Sequence, residues 1–410
     1  AESPTLPEPQ AEAADAFTLN KLLALPSWAN LTLSVYAAPI TNFVGGLTPA
    51  ANWMQQNELN LTLGSGLNLD PAKWREIDHW QARVRFDLYN GQADYGAVIG
   101  SYFSPQTVAI APGAYLSSVS LLRTSRDQSL RVSAGVQSID QDFLVAPAYL
   151  AYLYSGFNNT LNLTLPGLPI TPYAAPSVVV HWQTPKAGTF SAGGYWLDPV
   201  SPLTTALGAS DPNVGSLSGS LQIIQWDLPL WTADAALQSP IARNGRSPVS
   251  RVLPAPLFQL GAFNTTAAFS DPAMDSPSGT TPLINKVIYS SLTVPLGLPI
   301  GLDNRLWGSV RWGFDGSQNP TPLFVQGGWM CQGLFPARPL DVLSFGMGRT
   351  GFSADLLPQL SGSGAFELNY NIRINSRLSL QPTVQWLGNP AGDGQVPGVL
   401  TTSLVGILNF

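Results

Sequence analysis

Apolar and polar residues alternate with a period of two along most of the chain after Trp28. The clearest case is His79–Tyr89. There Trp80, Ala82, Val84, Phe86 and Leu88 are apolar, and His79, Gln81, Arg83, Arg85 and Asp87 are polar. Successive side chains of a strand point to opposite faces, so such a segment offers one apolar and one polar surface. The same pattern runs through Gln56–Gly64, Leu130–Gln137, Phe366–Asn375 and Leu378–Trp386. Weaker segments lie near 30–38, 94–103, 117–124, 176–183, 189–197, 216–226, 251–263, 285–294, 305–314, 323–331, 341–349 and 399–410. Single-chain bacterial barrels use even strand numbers, and these segments make about 17. The one to discard is 251–263, because Pro254 and Pro256 cannot donate to a ladder.

A soluble antiparallel sheet alternates in the same way, so composition has to decide. Only 11% of the 410 residues are charged while 45% are hydrophobic, against about 25% charged in ordinary soluble domains. A surface that faces lipid needs no charge. The most apolar stretches, Ile288–Leu302 and Ala148–Phe157, are broken by Pro, Gly, Ser or Asn. They fall short of the roughly 20 apolar residues of a spanning helix. A closed barrel also satisfies every backbone group inside a bilayer. The expected fold is therefore all-β: a transmembrane antiparallel β-barrel of about 16 strands, with inward-folded loops narrowing the pore. Short connectors such as Thr124–Ser129 and Asn375–Arg377 suit periplasmic turns; 139–175, 198–215, 264–284 and 387–398 suit extracellular or inward-folded loops. Many of the 12 Trp and 12 Tyr fall near strand ends, where interfacial girdles are expected.

The ends of the chain sharpen this. Residues 1–27 form an expected Pro/Ala/Glu-rich flexible arm with a short helix within Asp15–Leu25, and 28–410 the barrel. Ala1 opens no basic or apolar leader, so the chain reads as one whose signal peptide has been removed, destined for the outer membrane. Leu400, Thr402, Leu404, Gly406, Leu408 and Phe410 share one face of a last strand expected to pair with the first near Trp28–Ala38. The terminal aromatic, with Leu404, Gly406 and Leu408, looks like the recognition signal read by the barrel assembly machinery.

Composition and motifs exclude other classes. One cysteine, Cys331, rules out an intramolecular disulfide framework. A net charge of −6 argues against a nucleic-acid partner. His79 and His181 have no adjacent serine or carboxylate motif, and neither a nucleophile elbow, a zinc-binding motif nor a phosphate loop occurs. The chain is read as no enzyme, with no cofactor and no metal.

Near the end, LSLQPTVQWLGNPAG (Leu378–Gly392) resembles the penultimate strand and loop of the carbohydrate-selective porins (OprB-like). GLFPARPLDVLSFGMG (Gly333–Gly348) is similar to that family's Arg-Pro, Asp-Val and glycine pattern, and Gln56–Leu69 and Asp142–Pro147 follow it more loosely. The resemblance spans Ala50 to Phe410. It departs at Leu340, where a polar residue is expected, and at Ser344, where glycine is. It implies a sixteen-stranded channel that admits small sugars by diffusion through an eyelet narrowed by loops. Porins of this length are often trimers, so a homotrimer is expected by analogy.

A sugar-passing lumen needs multidentate hydrogen-bonding groups that bind weakly enough to release. Lumen parity offers Glu58, Arg83, Arg85, Asp87, Arg131, Arg305, Arg311, Glu367 and Arg373. Arginine supplies five donors in a fixed fork and glutamate accepts two bonds; equally, these residues could brace the wall through mutual ion pairs. Arg338 and Asp341 better suit an ion pair anchoring a turn. Trp307 and Trp329 suit either stacking on a sugar ring or a girdle. Fifteen of the 19 basic residues are Arg, which keeps a general or anion-favouring pore open, as alternation alone does a secreted β-sandwich or adhesin.

Overall fold

Strands buried on one face and wetted on the other close naturally into a barrel, and sixteen antiparallel strands do so here. They run β1 Ala29–Val44, β2 Ala50–Gly64, β3 His79–Gly91, β4 Gly113–Thr124, β5 Leu130–Gln137, β6 Ala175–Thr184, β7 Gly188–Trp196 and β8 Ser220–Pro229. The second half is β9 Leu257–Thr265, β10 Asn285–Pro295, β11 Asp303–Gly313, β12 Leu323–Gln332, β13 Val342–Gly351, β14 Ser363–Arg373, β15 Leu378–Gly388 and β16 Val399–Asn409. The computed structural model describes residues 18–65, 67, 78–92, 95–107, 109–158, 169–197, 219–232, 234–243, 246–266, 268–269, 281–282, 285–317 and 319–410. Each strand pairs with its sequence neighbour. The ring closes where Ser34 to Val44 meet Asn409 to Leu400, around a bulge at Asn42–Val44. Phe410 extends the seam: its N–H donates to the Leu33 carbonyl at 2.8 Å, and the Leu33 N–H returns a bond at 3.2 Å.

Two sequence expectations are corrected. The segment 94–103 is no strand but carries a short helix, Tyr95–Ile99, inside the β3–β4 connection. The doubted 251–263 holds a full barrel strand, β9, because Pro254 and Pro256 lie just before its first ladder residue and no bond is lost. At the N-terminus a helix covers Leu19–Leu22 and is tied to β1 by Asn20, whose Oδ1 accepts from the Leu31 N–H at 2.8 Å. Residues 1–17 lie outside the described residues, as do 198–218, which take in the whole expected 198–215 loop.

The outer face carries exposed Leu59, Leu88, Leu121, Val178, Ile224, Leu292, Val310, Leu368 and Leu404. So large an apolar surface would drive association in water, whereas hydrocarbon is its natural solvent. Tryptophan marks both rims. Trp182, Phe190, Trp226 and Phe258 form a chain of rings with successive centroids 5.9 Å apart at one end, and Trp53, Trp196, Trp312 and Trp386 stand exposed at the other. The tyrosines correct the girdle expectation. Tyr89, Tyr95, Tyr115, Tyr149, Tyr152, Tyr154, Tyr195 and Tyr289 are buried, where their rings fill space inside the barrel.

Connections 125–129, 185–187 and 374–377 are short and lie at the end that carries the termini. The long 92–112 and 138–174 lie at the opposite end. In outer-membrane barrels the short turns face the periplasm, which orients the chain. The 138–174 connection folds inward. Its first part places Ile139, Phe143 and Leu144 in an apolar cluster with Val179, Ile223, Phe263 and Tyr289 of the inner wall. Its second part packs Tyr149, Tyr152, Tyr154 and Phe157 with Trp307, Phe324, Met330 and Ala365. Glycines make that docking possible. A Cβ on Gly346 would stand 2.7 Å from the Tyr152 ring, and one on Gly348 2.8 Å from Phe157. The inner face of β13 is thus a trench shaped for two aromatic side chains, each worth about 1.5–3 kcal/mol when fully buried.

Candidate solute path

The inner loop packs along the wall from β6 round to β16 and β1, where Leu153 joins Ala38 and Val405, and Tyr173 near its end meets Tyr115 of β4. On the β2–β5 face Arg83 stays exposed and Glu58, Arg85 and Arg131 partly so. The loop's hold on the far wall is polar as well as apolar. The Glu367 carboxylate on β14 accepts from the backbone N–H groups of Leu153 at 2.8 Å and Tyr154 at 2.7 Å. Asn369 and Gln385 donate to the same carboxylate. The Ala151 carbonyl accepts from Asn369 and Gln381. Tyr152 donates to the Phe345 carbonyl at 3.0 Å and accepts from Trp307 at 2.8 Å. The loop is a fixed part of the wall. A second tie runs to the 92–112 connection, where Ser155 donates to the Ser104 carbonyl at 2.7 Å.

This arrangement sorts the sequence candidates. Glu367 is buried beneath the loop it holds. Arg305 is buried too, donating to the Pro254 carbonyl at 2.9 Å and to Asp303 at 2.5 Å. Arg311 donates to the Thr321 carbonyl at 2.6 Å and lies over the Phe324 ring. Asp87 is buried as an acceptor for Gln56, Arg85 and Ser117. All four have lumen parity, yet loops and neighbouring side chains cover them, so they brace the wall rather than meet solute. Trp307 is sealed under Tyr152 and Tyr149. Trp329 is on the opposite parity, on the outer face, donating to Asn304 at 3.0 Å. Neither can stack on a sugar in the lumen.

Glu58, Arg83, Arg85 and Arg131 remain on the β2–β5 face. Arg85 sits between Glu58 at 2.8 Å and Asp87 at 2.9 Å. Asn60 donates to Glu58 at 2.6 Å. Arg83 is exposed, and among the described residues its side chain makes one hydrogen bond, to Gln81 at 3.2 Å. Arg131 reaches Asp142 of the inner loop at 2.8 Å, and His181 meets the same oxygen at 2.9 Å. Burial pushes the Asp142 carboxyl up, but the His181 hydrogen bond and the Arg131 charge outweigh it and hold the group below its usual range. That tie is therefore present at neutral pH and lost only as pH falls through the depressed value. Leu150 projects from the inner loop with 69% of its surface exposed. The β2–β5 face thus offers forked donors and a carboxylate.

Arg338 and Asp341 lie in the β12–β13 turn as a bidentate pair at 2.7 and 2.9 Å. Asp341 also accepts from Tyr370 and from the Arg373 N–H, which places Arg373 at the periplasmic rim. Leu404, Gly406, Leu408 and Phe410 line the outer face of the closing seam. Sequence reasoning missed the loop contacts of Tyr149, Tyr152 and Phe157, although the apolar run Ala148–Phe157, too short to span a membrane, was their trace.

A family model described as carbohydrate-selective porin, OprB family, matches residues 61–404. No curated protein matches the chain by sequence. Among solved structures, OprB of Pseudomonas putida at high pH superposes with a TM-score of 0.73 at 18% identity, covering 95% of this chain and 96% of that one. The low-pH structure of the same protein gives 0.53 at 13% identity, covering 95% of each. At such identities these likenesses speak to the fold alone, which they share as a sixteen-stranded barrel. The family match carries the rest: with residues 61–404 matched, this chain is a passive outer-membrane channel, not an enzyme, and belongs to the carbohydrate-selective porins of the OprB family.

Proposed function

We propose that small neutral sugars cross by way of the β2–β5 face, with Arg83 and Glu58 as the main hydrogen-bonding contacts and Arg85 and Arg131 beside them. The observation that carries this is the exposed Arg83 guanidinium, whose one side-chain bond among the described residues is to a neutral amide. Its donors can turn to sugar hydroxyls without breaking an ion pair, while Glu58 keeps acceptor capacity beyond Arg85 and Asn60. Arg85 and Arg131, held by carboxylates, set the geometry and local charge. Leu150 supports the reading by offering an apolar surface for the C–H face of a sugar ring.

Block of the ion current by glucose in planar bilayers tests it. Arg83→Ala should raise the half-blocking concentration about tenfold, the equivalent of about 1.4 kcal/mol, with the barrel still folded. An unchanged glucose block would contradict the assignment. Strong anion selectivity without block by any sugar would favour the general or anion-favouring alternative, to which the excess of arginine points.

Two partner assignments belong to the same reading. The outward row ending in Phe410 supports recognition by the barrel assembly machinery; deleting Phe410 should cut the heat-modifiable, assembled fraction severely while synthesis continues. On the outer wall of β2, Gln55 donates to Asn57 at 2.8 Å, an amide pair at odds with lipid. It supports lateral contact with further copies, the homotrimer expected from chain length, which the mass of the detergent-solubilised complex reads directly.

A further inference from the structure

At the periplasmic end most turns are short, yet 230–256 between β8 and β9 is long. It includes a helix Ala235–Gln238 and a small hairpin, Ile241–Arg243 with Arg246–Val249. Its last part does not hang below the barrel. Arg251 pairs with Asp303 of β11 at 2.6 Å. The Val252 N–H donates to Gln332 Oε1 of β12 at 2.9 Å, and Gln332 Nε2 donates back to the Ser250 carbonyl at 2.8 Å. The Pro254 carbonyl accepts from Arg305 at 2.9 Å. Arg305 and Gln332 are buried, while Leu306 and Val325 of the same strands are exposed on the outer face. The anchors therefore point into the barrel and the strap lies against its inner wall. Leu253 joins the apolar cluster that also holds Tyr149, Trp307 and Met330. The strap entering from the periplasmic end and the loop entering from the outside thus share one patch of wall.

We propose that residues 249–256 form a second, exit-side constriction on the solute path, with Val252 and Ala255 as its size-selecting contacts. The physical reason is the division of the strap into two faces. Leu253 and Pro256 are buried toward the wall, while Val252 and Ala255 are exposed on the side left to the lumen. Proline at 254 and 256 removes two donors and fixes the backbone torsion there; the Arg251–Asp303 and Ser250–Gln332–Val252 ties hold one end of the contact and the Arg305–Pro254 bond the other. A segment fixed in this way keeps its cross-section as solute passes, so it acts as a filter in series with the eyelet. It also accounts for Asp303, Arg305 and Gln332, three polar side chains buried in the lumen wall that the eyelet does not use.

Cysteine scanning tests this in the full-length channel. Cys331 is the one native thiol, so Val252→Cys and Ala255→Cys are each placed in a Cys331→Ser background and treated from the periplasmic side with a bulky methanethiosulfonate reagent. Labelling is followed by mass and conductance in planar bilayers. Both positions should label, and labelling should lower single-channel conductance by about half, since conduction follows the diameter of the pore. Full labelling with unchanged conductance would overturn the proposal, as would failure of both folded, conducting variants to label. The readout is independent of which sugar the channel prefers. A normal glucose block with unresponsive cysteines sinks the strap alone, and loss of the block with responsive cysteines sinks the sugar path alone.

Discussion

Replacing Glu367 with Ala should release the inner loop and widen the channel. The carboxylate receives the backbone N–H groups of Leu153 and Tyr154 together with the amides of Asn369 and Gln385. Bonds to a buried charged acceptor contribute about 1.5–3 kcal/mol each. Losing the two loop donors alone removes about 3 kcal/mol or more from docking. The aromatic contacts of Tyr152 and Phe157 in the glycine trench then hold the loop without its polar latch. Single-channel conductance should rise and become noisier, and larger sugars should enter. Glu367→Gln is the graded case. Its amide keeps one acceptor but turns a donor toward the other loop N–H, so its effect should be intermediate. Conductance and size cut-off unchanged in both variants would show that the loop does not depend on this carboxylate.

The second large effect is on the other side of the wall. Leu404 stands in the middle of β16 with half its surface exposed on the outer face, opposite Pro382 of β15. An arginine at the bilayer midplane costs about 2–4 kcal/mol on the lipid face of such barrels. Leu404→Arg should lower the stability of the folded barrel by that amount, read from urea unfolding in lipid vesicles. Asn60→Arg, which faces the lumen on β2, should change stability little. Equal costs at the two sites would contradict the inside–outside assignment built from parity.

Parity was the most legible feature of the sequence because it follows from strand geometry alone. It placed Phe410, Leu404 and the Arg83–Asp87 ladder on their faces, and it predicted the closing seam with β1. It failed where local pattern and tertiary position part company. Residues 94–103 alternate enough to pass for a strand, but Tyr95 and Ile99 lie on a short helix and are buried in one cluster with Ile40, Leu387 and Val399 of the barrel's inner wall. Pro254 and Pro256 disguised β9 because a proline beside a ladder and a proline within one read alike. Lumen parity also cannot tell an open wall from a covered one. Arg305, Arg311 and Glu367 alternate as Arg83 does, and only the fold of 138–174 and 230–256 over the wall separates bracing residues from contacts. The glycines of Gly333–Gly348 belonged to a family-like segment; their purpose emerges only when Tyr152 and Phe157 are seen in the space they leave.

The central claim is a size-limited sugar channel whose path is narrowed by an inner loop. Osmotic swelling of liposomes carrying the purified protein tests it most directly, using neutral sugars of graded size. The account predicts fast swelling with small sugars and a steep fall as solute size increases, with the fall made shallower by Glu367→Ala. Swelling that is absent for every sugar, or equal across all sizes in both proteins, would contradict it.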